Sequence, residues 1–167
     1  MAVLRQSVIL ELMSRPSPLL QWFFRAPGRL YRMGLGPMLG RRFLSITHRG
    51  RKSGKLYDTV LEVAVFDPGL QESIVVSAYG TKADWFRNLQ AAPAVRVRTG
   101  RLDYVPEHRI LTEEEATNAA ARFCRDHPWE AKLAPRVLPA IGAVAPGSSD
   151  PVAMLASLPM VAFRPQA

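Results

Sequence analysis

The chain has 167 residues, of which 48% are hydrophobic, and this suffices for one globular domain with a buried core. A single cysteine, Cys124, excludes an intramolecular disulfide framework, and no uncharged apolar run approaches the roughly 20 residues that a transmembrane helix needs. We therefore expect a cytoplasmic protein.

The net charge of +8 is concentrated at the N-terminal end. Residues 1–55 hold 11 of the 22 Lys and Arg but only Glu11 of the 14 acids, which leaves +10 there and −2 over the other 112 residues. Such asymmetry predicts an anionic partner, which can be a phosphate ligand, a nucleic acid or a membrane surface.

The first 42 residues have helical patterns. Val8 and Leu12 lie four residues apart, and Pro16 ends the first segment. A second, basic amphipathic segment carries an aromatic cluster and then Arg25, Arg29 and Arg32. These helices either pack on the rest of the protein with their arginines in solvent, or contact an anionic membrane surface.

Short β-rich runs begin at Phe43 and are separated by turn residues such as Asp67-Pro68-Gly69. The runs are FLSITH, TVLEVAVF, SIVVSAY, AVRVRTG and LDYVPEHRIL. Alternation is clearest in AVRVRTG, as expected for a strand with one wet face. Runs this close in the chain usually pair as antiparallel hairpins.

Helical segments interrupt and follow the strands. KADWFRNLQAA predicts a helix closed by Pro93, and Thr112 with Glu115 predicts a capping-box start for a helix through Cys124. Residues 139–151 predict a loop, and LPMVAFRP a final strand.

These elements predict an α+β fold, with five or six antiparallel strands closing into a small barrel with N-terminal and flanking helices. We predict a single domain over 1–167, made of a helical extension (1–42), a barrel core (43–110) and a part with helices and the last strand (111–167).

Several common sites are excluded. Gly50 and Gly54 have three residues between them where a P-loop needs four, and Leu56 follows Lys55 where the P-loop has Ser or Thr. GLGPMLG does not match the dinucleotide fingerprint. Cys124 and His127 are too few ligands for zinc, so we expect no metal.

The segment from Thr47 to Lys55 combines four cations with two glycines and a serine: Arg49, Arg51, Lys52, Lys55, Gly50, Gly54 and Ser53. Glycines let backbone N–H groups approach a phosphate, and Arg and Lys supply charge-assisted hydrogen bonds. On composition alone the segment is either a solvated turn or an anion-binding loop.

A second group of residues lies on the helix predicted from KADWFRNLQAA. Trp85, Asn88 and Leu89 share one face. Trp85 is either a core anchor or, with Asn88, part of the wall of a site for a flat heterocycle.

Together, THRGRKSGK, a strand pair ending in VVSAYG, and KADWFRNLQAAPAVRV resemble the actinobacterial deazaflavin-dependent nitroreductase and quinone reductase family over about residues 40–110. The resemblance implies an FMN-binding-type split barrel and reduced coenzyme F-420, an 8-hydroxy-5-deazaflavin, with FMN as the alternative.

The resemblance also implies the site residues. Those for the phosphate and acidic tail are Arg51, Lys52, Ser53 and Gly54. Those along or beside the deazaflavin ring are Ser45, Ile46, Thr47, Ser77, Ala78 and Tyr79. Those completing the pocket are Trp85, Phe86 and Asn88. Family members commonly have Pro-Arg after the glycine turn, where this chain has Leu56 and Tyr57.

We expect two-electron reduction, in which hydride passes from the reduced coenzyme to a quinone, nitroaromatic or enone-type acceptor, with Ser77 and Tyr79 as candidate hydroxyl donors. The alternative is a non-catalytic protein that binds or carries deazaflavin, haem or a fatty acid. Nucleic-acid binding is disfavoured, because the chain has neither a recognition-helix motif nor strands with an aromatic platform.

Overall fold

A computed structural model describes Tyr31, residues 36–140 and residues 149–166. The strands in these residues are β1 (Phe43–Arg49), β2 (Leu56–Asp67), β3 (Glu72–Val76), β4 (Arg96–Thr99), β5 (Leu102–Tyr104), β6 (Pro106–Ile110) and β7 (Met160–Pro165). All paired strands are antiparallel, in the order β5-β4-β1-β2-β3-β7-β6.

The sheet closes nearly into a barrel at Val105. Strand β5 pairs with β4 at one end of the sheet and β6 pairs with β7 at the other, yet only Val105 separates β5 from β6. One bent segment thus forms both ends of the sheet. The fold is α+β and split-barrel-like, as predicted, but the described residues have seven strands because the run LDYVPEHRIL divides at Pro106, which lacks an N–H and restricts Val105.

Strand β2 serves both halves of the barrel. Its first residues pair with β1 and its last with β3, and the register shifts between Val63 and Val65. Such an irregularity bends a strand and re-aims its side chains. The exposed start of β2 therefore lies beside β1 and the more buried end lies under the helices.

The barrel interior is apolar. Leu44, Ile46, Val97 and Phe163 have no exposed surface. Burial there raises the pKa of Tyr104 to about 12, since a phenolate is poorly solvated in such surroundings.

The described helices are α1 (Asp84–Ala91), α2 (Glu113–Asp126), α3 (Pro128–Ala140) and α4 (Pro151–Ala156). The predicted capping box of α2 is confirmed: Thr112 Oγ1 accepts from the Glu115 N–H, and the Glu115 carboxylate accepts from the Thr112 N–H. Helix α1 ends before Pro93, as predicted.

Helices α3 and α4 were not predicted. Pro135 and Pro139 lie inside α3 and weaken its helical signal. The loop predicted over 139–151 is wrong at both ends, because α3 continues through Ala140 and Asp150 caps α4 by accepting from the N–H groups of Val152 and Ala153. Residues 141–148 lie outside the described residues.

The helices predicted within residues 1–35 also lie outside the described residues, apart from Tyr31. The Tyr31 hydroxyl donates to the Phe43 carbonyl at 2.9 Å. Gly36–Leu39 then forms a short 3-10 helix that leads into β1. No helix among the described residues is long and apolar enough to cross a membrane.

Candidate functional site

The turn between β1 and β2 is a tight loop, here called the basic loop (residues 50–55). The Gly50 N–H donates to the Lys55 carbonyl at 2.8 Å, and the Gly54 N–H donates to the Gly50 carbonyl at 2.8 Å. Gly54 has φ +67°, which favours glycine. A Cβ on Gly50 would lie 2.6 Å from Ser53 Oγ and 2.7 Å from the Tyr57 ring, so a larger residue here would displace these two side chains.

An open groove of about 460 Å³, the loop groove, lies where the basic loop meets α1. Its lining is His48, Gly50, Arg51, Lys52, Ser53, Tyr57, Asp58, Thr59, Asp84, Trp85 and Asn88. The cationic loop thus faces the polar and aromatic side of α1.

A second groove of about 410 Å³, the sheet groove, lies on the outer face of β1, β2 and β4. Its lining is Thr47, Leu56, Tyr57, Asp58, Val95, Arg96 and Arg98. Tyr57 and Asp58 line both grooves, so the two adjoin at the start of β2.

Asn88 of α1 fastens the basic loop to the barrel. Its Oδ1 accepts from the Arg51 backbone N–H at 3.1 Å and from Arg51 Nη1 at 2.9 Å. Its Nδ2 lies 3.1 Å from His48 Nδ1, and His48 Nε2 lies 3.0 Å from Thr59 Oγ1. Asn88 is only 4% exposed and its contact with His48 is buried, whereas its contacts with Arg51 are part-buried.

His48 and Tyr57 form the floor of the loop groove. Their rings stack with centroids 6.1 Å apart, and the Tyr57 hydroxyl lies 3.1 Å from Ser53 Oγ. Burial lowers the pKa of His48, against the opposing effect of the carboxylates of Asp58 and Asp84. A neutral imidazole therefore lies at the base of the groove at neutral pH.

Both grooves contain acids beside their arginines. Arg51 Nη1 lies 3.0 Å from Asp84 Oδ1, and the Asp84 side chain is 82% exposed. In the sheet groove, Arg98 lies 3.7 Å from Asp58. An anionic ligand in the loop groove must therefore compete with an exposed carboxylate for Arg51.

Most of the residues predicted for the coenzyme tail and the pocket meet in the loop groove. Arg51, Lys52 and Ser53 lie on one side, and Trp85 and Asn88 on the other. Gly54 belongs to the same loop, and Thr47 lines the adjoining sheet groove.

The remaining predicted residues line neither groove. Ile46 and Phe86 pack in the barrel core, where they are at most 2% exposed. Ser45 is 1% exposed, and its hydroxyl has no hydrogen-bond partner among the described residues.

The segment after β3 was predicted to lie beside the ring. The Ser77 hydroxyl is buried and donates to the Gly80 carbonyl at 2.7 Å. Ala78 is half-buried, and Tyr79 is 60% exposed at the entrance to α1. Among these three residues only Tyr79 presents a hydroxyl to solvent.

Sequence reasoning missed several groove residues: His48, Tyr57 as a groove wall, Asp58, Thr59 and Asp84. Because adjacent residues of a strand point to opposite faces, either Thr47 or His48 must face the interior of the barrel. This alternation was the one signal in the sequence that could have drawn attention to His48. No local signal joins Arg51 to a helix 37 residues away.

The pair Cys124 and His127 has a structural role. Burial raises the pKa of the Cys124 thiol, and the His127 ring lies 5.0 Å from the Phe123 ring. Within residues 36–140 and 149–166, no group of three or more His, Cys, Asp or Glu is arranged to hold a metal ion.

A family model described as F420H(2)-dependent quinone reductase matches residues 24–128 of the chain. No curated protein matches the sequence. Among solved structures, an F420-H2 dependent reductase (FDR-A) is 19% identical, with a TM-score of 0.50, 75% of this chain covered and 96% of that chain. A structure described as a domain-swapped dimer is 18% identical, with a TM-score of 0.52, 86% of this chain covered and 98% of that chain. At these identities the structural likeness shows the fold.

Proposed function

Because the chain belongs to the F420H(2)-dependent quinone reductase family, we propose that its loop groove and the adjoining sheet groove hold reduced coenzyme F-420 beside a quinone, nitroaromatic or enone-type acceptor. The family is one of oxidoreductases, and its hydride donor is the reduced coenzyme. The observation that carries the proposal is the loop groove, where a glycine-containing cationic loop faces an aromatic and amide-bearing helix.

The basic loop fits the phosphate and acidic tail of the coenzyme. Arg51 is held in place by Asn88, and Lys52 is exposed on the same loop. Ser53 and Gly54 complete this part of the site, the serine with a hydroxyl and the glycine with its left-handed backbone. These four residues are proposed to bind the tail.

Strand β1 supplies the proposed contacts along the ring. Thr47 lines the sheet groove, and Ser45 lies two residues earlier on the same face of the strand with a buried hydroxyl that has no partner among the described residues. Ile46 and Phe86 support this wall from the core.

The remaining members of the proposed site are Trp85, Asn88, Ser77, Ala78 and Tyr79. When bound, the coenzyme supplies a hydride to the acceptor. The chain's own task is to orient both molecules, exclude water and offer a hydrogen bond to the acceptor. Tyr79 is the proposed donor, because the Ser77 hydroxyl is already committed to the Gly80 carbonyl.

We propose that the protein is cytoplasmic and that its basic N-terminal segment contacts an anionic membrane surface. The net charge of +10 in residues 1–55 supports this contact, which also suits a lipid-soluble acceptor such as a quinone. Deleting residues 1–35 is expected to abolish co-sedimentation with anionic vesicles. Unchanged co-sedimentation would overturn this part of the proposal.

The cofactor site is tested by titrating the protein with coenzyme F-420 and, separately, with FMN, while ligand fluorescence is followed. We expect preference for the deazaflavin, and tighter binding of FMN would contradict it. Turnover with a quinone, a nitroaromatic compound and an unsaturated lactone then identifies the acceptor class. Binding without turnover of any acceptor would instead favour a carrier.

Replacing Arg51 by alanine should weaken coenzyme binding by about 10- to 100-fold, since a hydrogen bond to a charged group contributes about 1.5–3 kcal/mol. Lys52→Ala should have a smaller effect in the same direction, because Lys52 is a more mobile point charge. Arg125→Ala is the matched control, as that side chain is 72% exposed on α2. Equal losses in the control and in Arg51→Ala would argue against a tail site at the basic loop.

A further inference from the structure

The orientation of the Asn88 amide is fixed by one backbone group. The Arg51 N–H can only donate, and the Arg51 guanidinium beside it also only donates. The Asn88 atom that faces both must therefore be the oxygen. The amide nitrogen, with its two hydrogens, then faces His48 Nδ1 at 3.1 Å.

This orientation determines the protonation state of His48. Because Asn88 Nδ2 donates, His48 Nδ1 must accept and carries no proton. The ring proton then lies on Nε2, which donates to Thr59 Oγ1 at 3.0 Å. The structure is thus consistent only with a neutral imidazole in the Nε2–H tautomer.

A proton on His48 Nδ1 would face the Asn88 amide hydrogens. If the amide turned over to accept from the imidazolium, its nitrogen would face the two Arg51 donors instead. Either the contact with His48 or the contacts with Arg51 must break. The contact with His48 is buried and the contacts with Arg51 are part-buried, so water replaces the partner of His48 least well.

We propose that His48 is a positioning residue: its neutral Nε2–H tautomer holds Asn88 and, through it, Arg51, so that protonation of His48 releases the basic loop and weakens binding of an anionic ligand. The statement that this ligand is the coenzyme tail rests on the proposed function.

The charged groups around His48 come from three elements. Asp58 on β2 and Asp84 on α1 favour the protonated ring, whereas Arg51 and Lys52 line the same groove from the basic loop. The Tyr57 ring covers one face of the imidazole. Burial outweighs the carboxylates and lowers the pKa of His48.

The sign of the pH dependence follows from that direction. A histidine whose folded pKa lies below its unfolded value of about 6.5 takes up its proton more readily in the unfolded chain. The contacts that join His48, Asn88 and Arg51 are therefore fully formed above the unfolded pKa and are lost as the pH falls through the lowered folded pKa. Ligand affinity should follow the same course.

The first test uses the ligand-free protein. Nitrogen-15 NMR of the imidazoles is expected to show His48 with a protonated Nε2 and an unprotonated Nδ1, and His48→Asn assigns the signal among the three histidines. A protonated Nδ1 at neutral pH would overturn the proposal. This readout does not depend on which ligand the protein binds.

The second test follows coenzyme affinity from about pH 7.5 to about pH 4, a range that extends well below an ordinary histidine pKa, as the lowered pKa of His48 requires. The unchanged protein should lose affinity by about tenfold or more as His48 takes up its proton. In His48→Asn the side-chain oxygen replaces Nδ1 as acceptor without titrating, so its profile should be flat.

Asn88→Asp reverses the requirement. A carboxylate still accepts from Arg51 but can pair with His48 only when Nδ1 is protonated, so the pKa of His48 should rise and the loss of affinity at low pH should disappear. The same acid-induced loss in the unchanged protein and in His48→Asn would overturn the proposal. Absence of coenzyme binding at every pH would instead refute the proposed function and leave the NMR result to decide on His48.

Discussion

The two grooves use arginine in different ways. In the loop groove, Arg51 is held by Asn88, which is 4% exposed and uncharged. In the sheet groove, Arg96 and Arg98 are held by the carboxylates of Asp103 and Asp58, in pairs that are one-third to one-half exposed. Asn88 adds a buried neutral acceptor to the exposed ion pair of Arg51 with Asp84, whereas Arg96 and Arg98 are held by exposed ion pairs, which yield readily to solvent and ligand.

Among the substitutions that test the difference between the two grooves, Asn88→Leu is expected to have the largest effect on stability and on coenzyme affinity. It leaves His48 Nδ1 and the Arg51 N–H without partners, and a buried unsatisfied group costs about 1–3 kcal/mol. The free energy of unfolding should fall by at least that amount, as measured by urea denaturation, and coenzyme affinity should fall with it.

Asn118→Leu is the matched control, because Asn118 is exposed on α2. It should change the free energy of unfolding by no more than about 0.5 kcal/mol. Equal losses from the two substitutions would mean that the contacts of Asn88 are no stronger than those of a surface amide.

Asp84→Asn should change coenzyme affinity in the opposite direction and increase it. It removes the exposed carboxylate that competes for Arg51 while Asn88 keeps the guanidinium in place. Coenzyme affinity should rise about two- to fivefold, the range expected for one exposed ion pair. Asp126→Asn on α2 is the control, and weaker binding by Asp84→Asn would show that Asp84 itself contacts the ligand.

Arg96→Ala should have the smallest effect. Its guanidinium is already paired with Asp103, so we expect coenzyme affinity to change by less than about threefold. A loss as large as that of Arg51→Ala, measured in the same titration, would remove the distinction between the grooves.

The barrel was predictable from the sequence because its strands are short β-rich runs that end at turn residues such as Asp67 and Gly100. Helices α3 and α4 were not, since α3 contains Pro135 and Pro139 and packs by tertiary contacts that outweigh its local preference.

The site was predictable only where residues are close together in the chain. The glycines and cations of the basic loop are consecutive, so their anion-binding potential is visible in the sequence. The partners of Arg51 lie 33 and 37 residues away, at Asp84 and Asn88, and it takes the folded barrel to show that they meet. The role of His48 was hidden for the same reason, as its partner Asn88 is 40 residues distant.

Tyr57 borders both grooves, stacks on His48 and contacts Ser53. A substitution of Tyr57 that reshapes the sheet groove therefore also disturbs the histidine and the loop on the other side. Under the proposed function, we expect variants that replace Tyr57 and keep coenzyme affinity to carry a compensating change at His48 or Ser53.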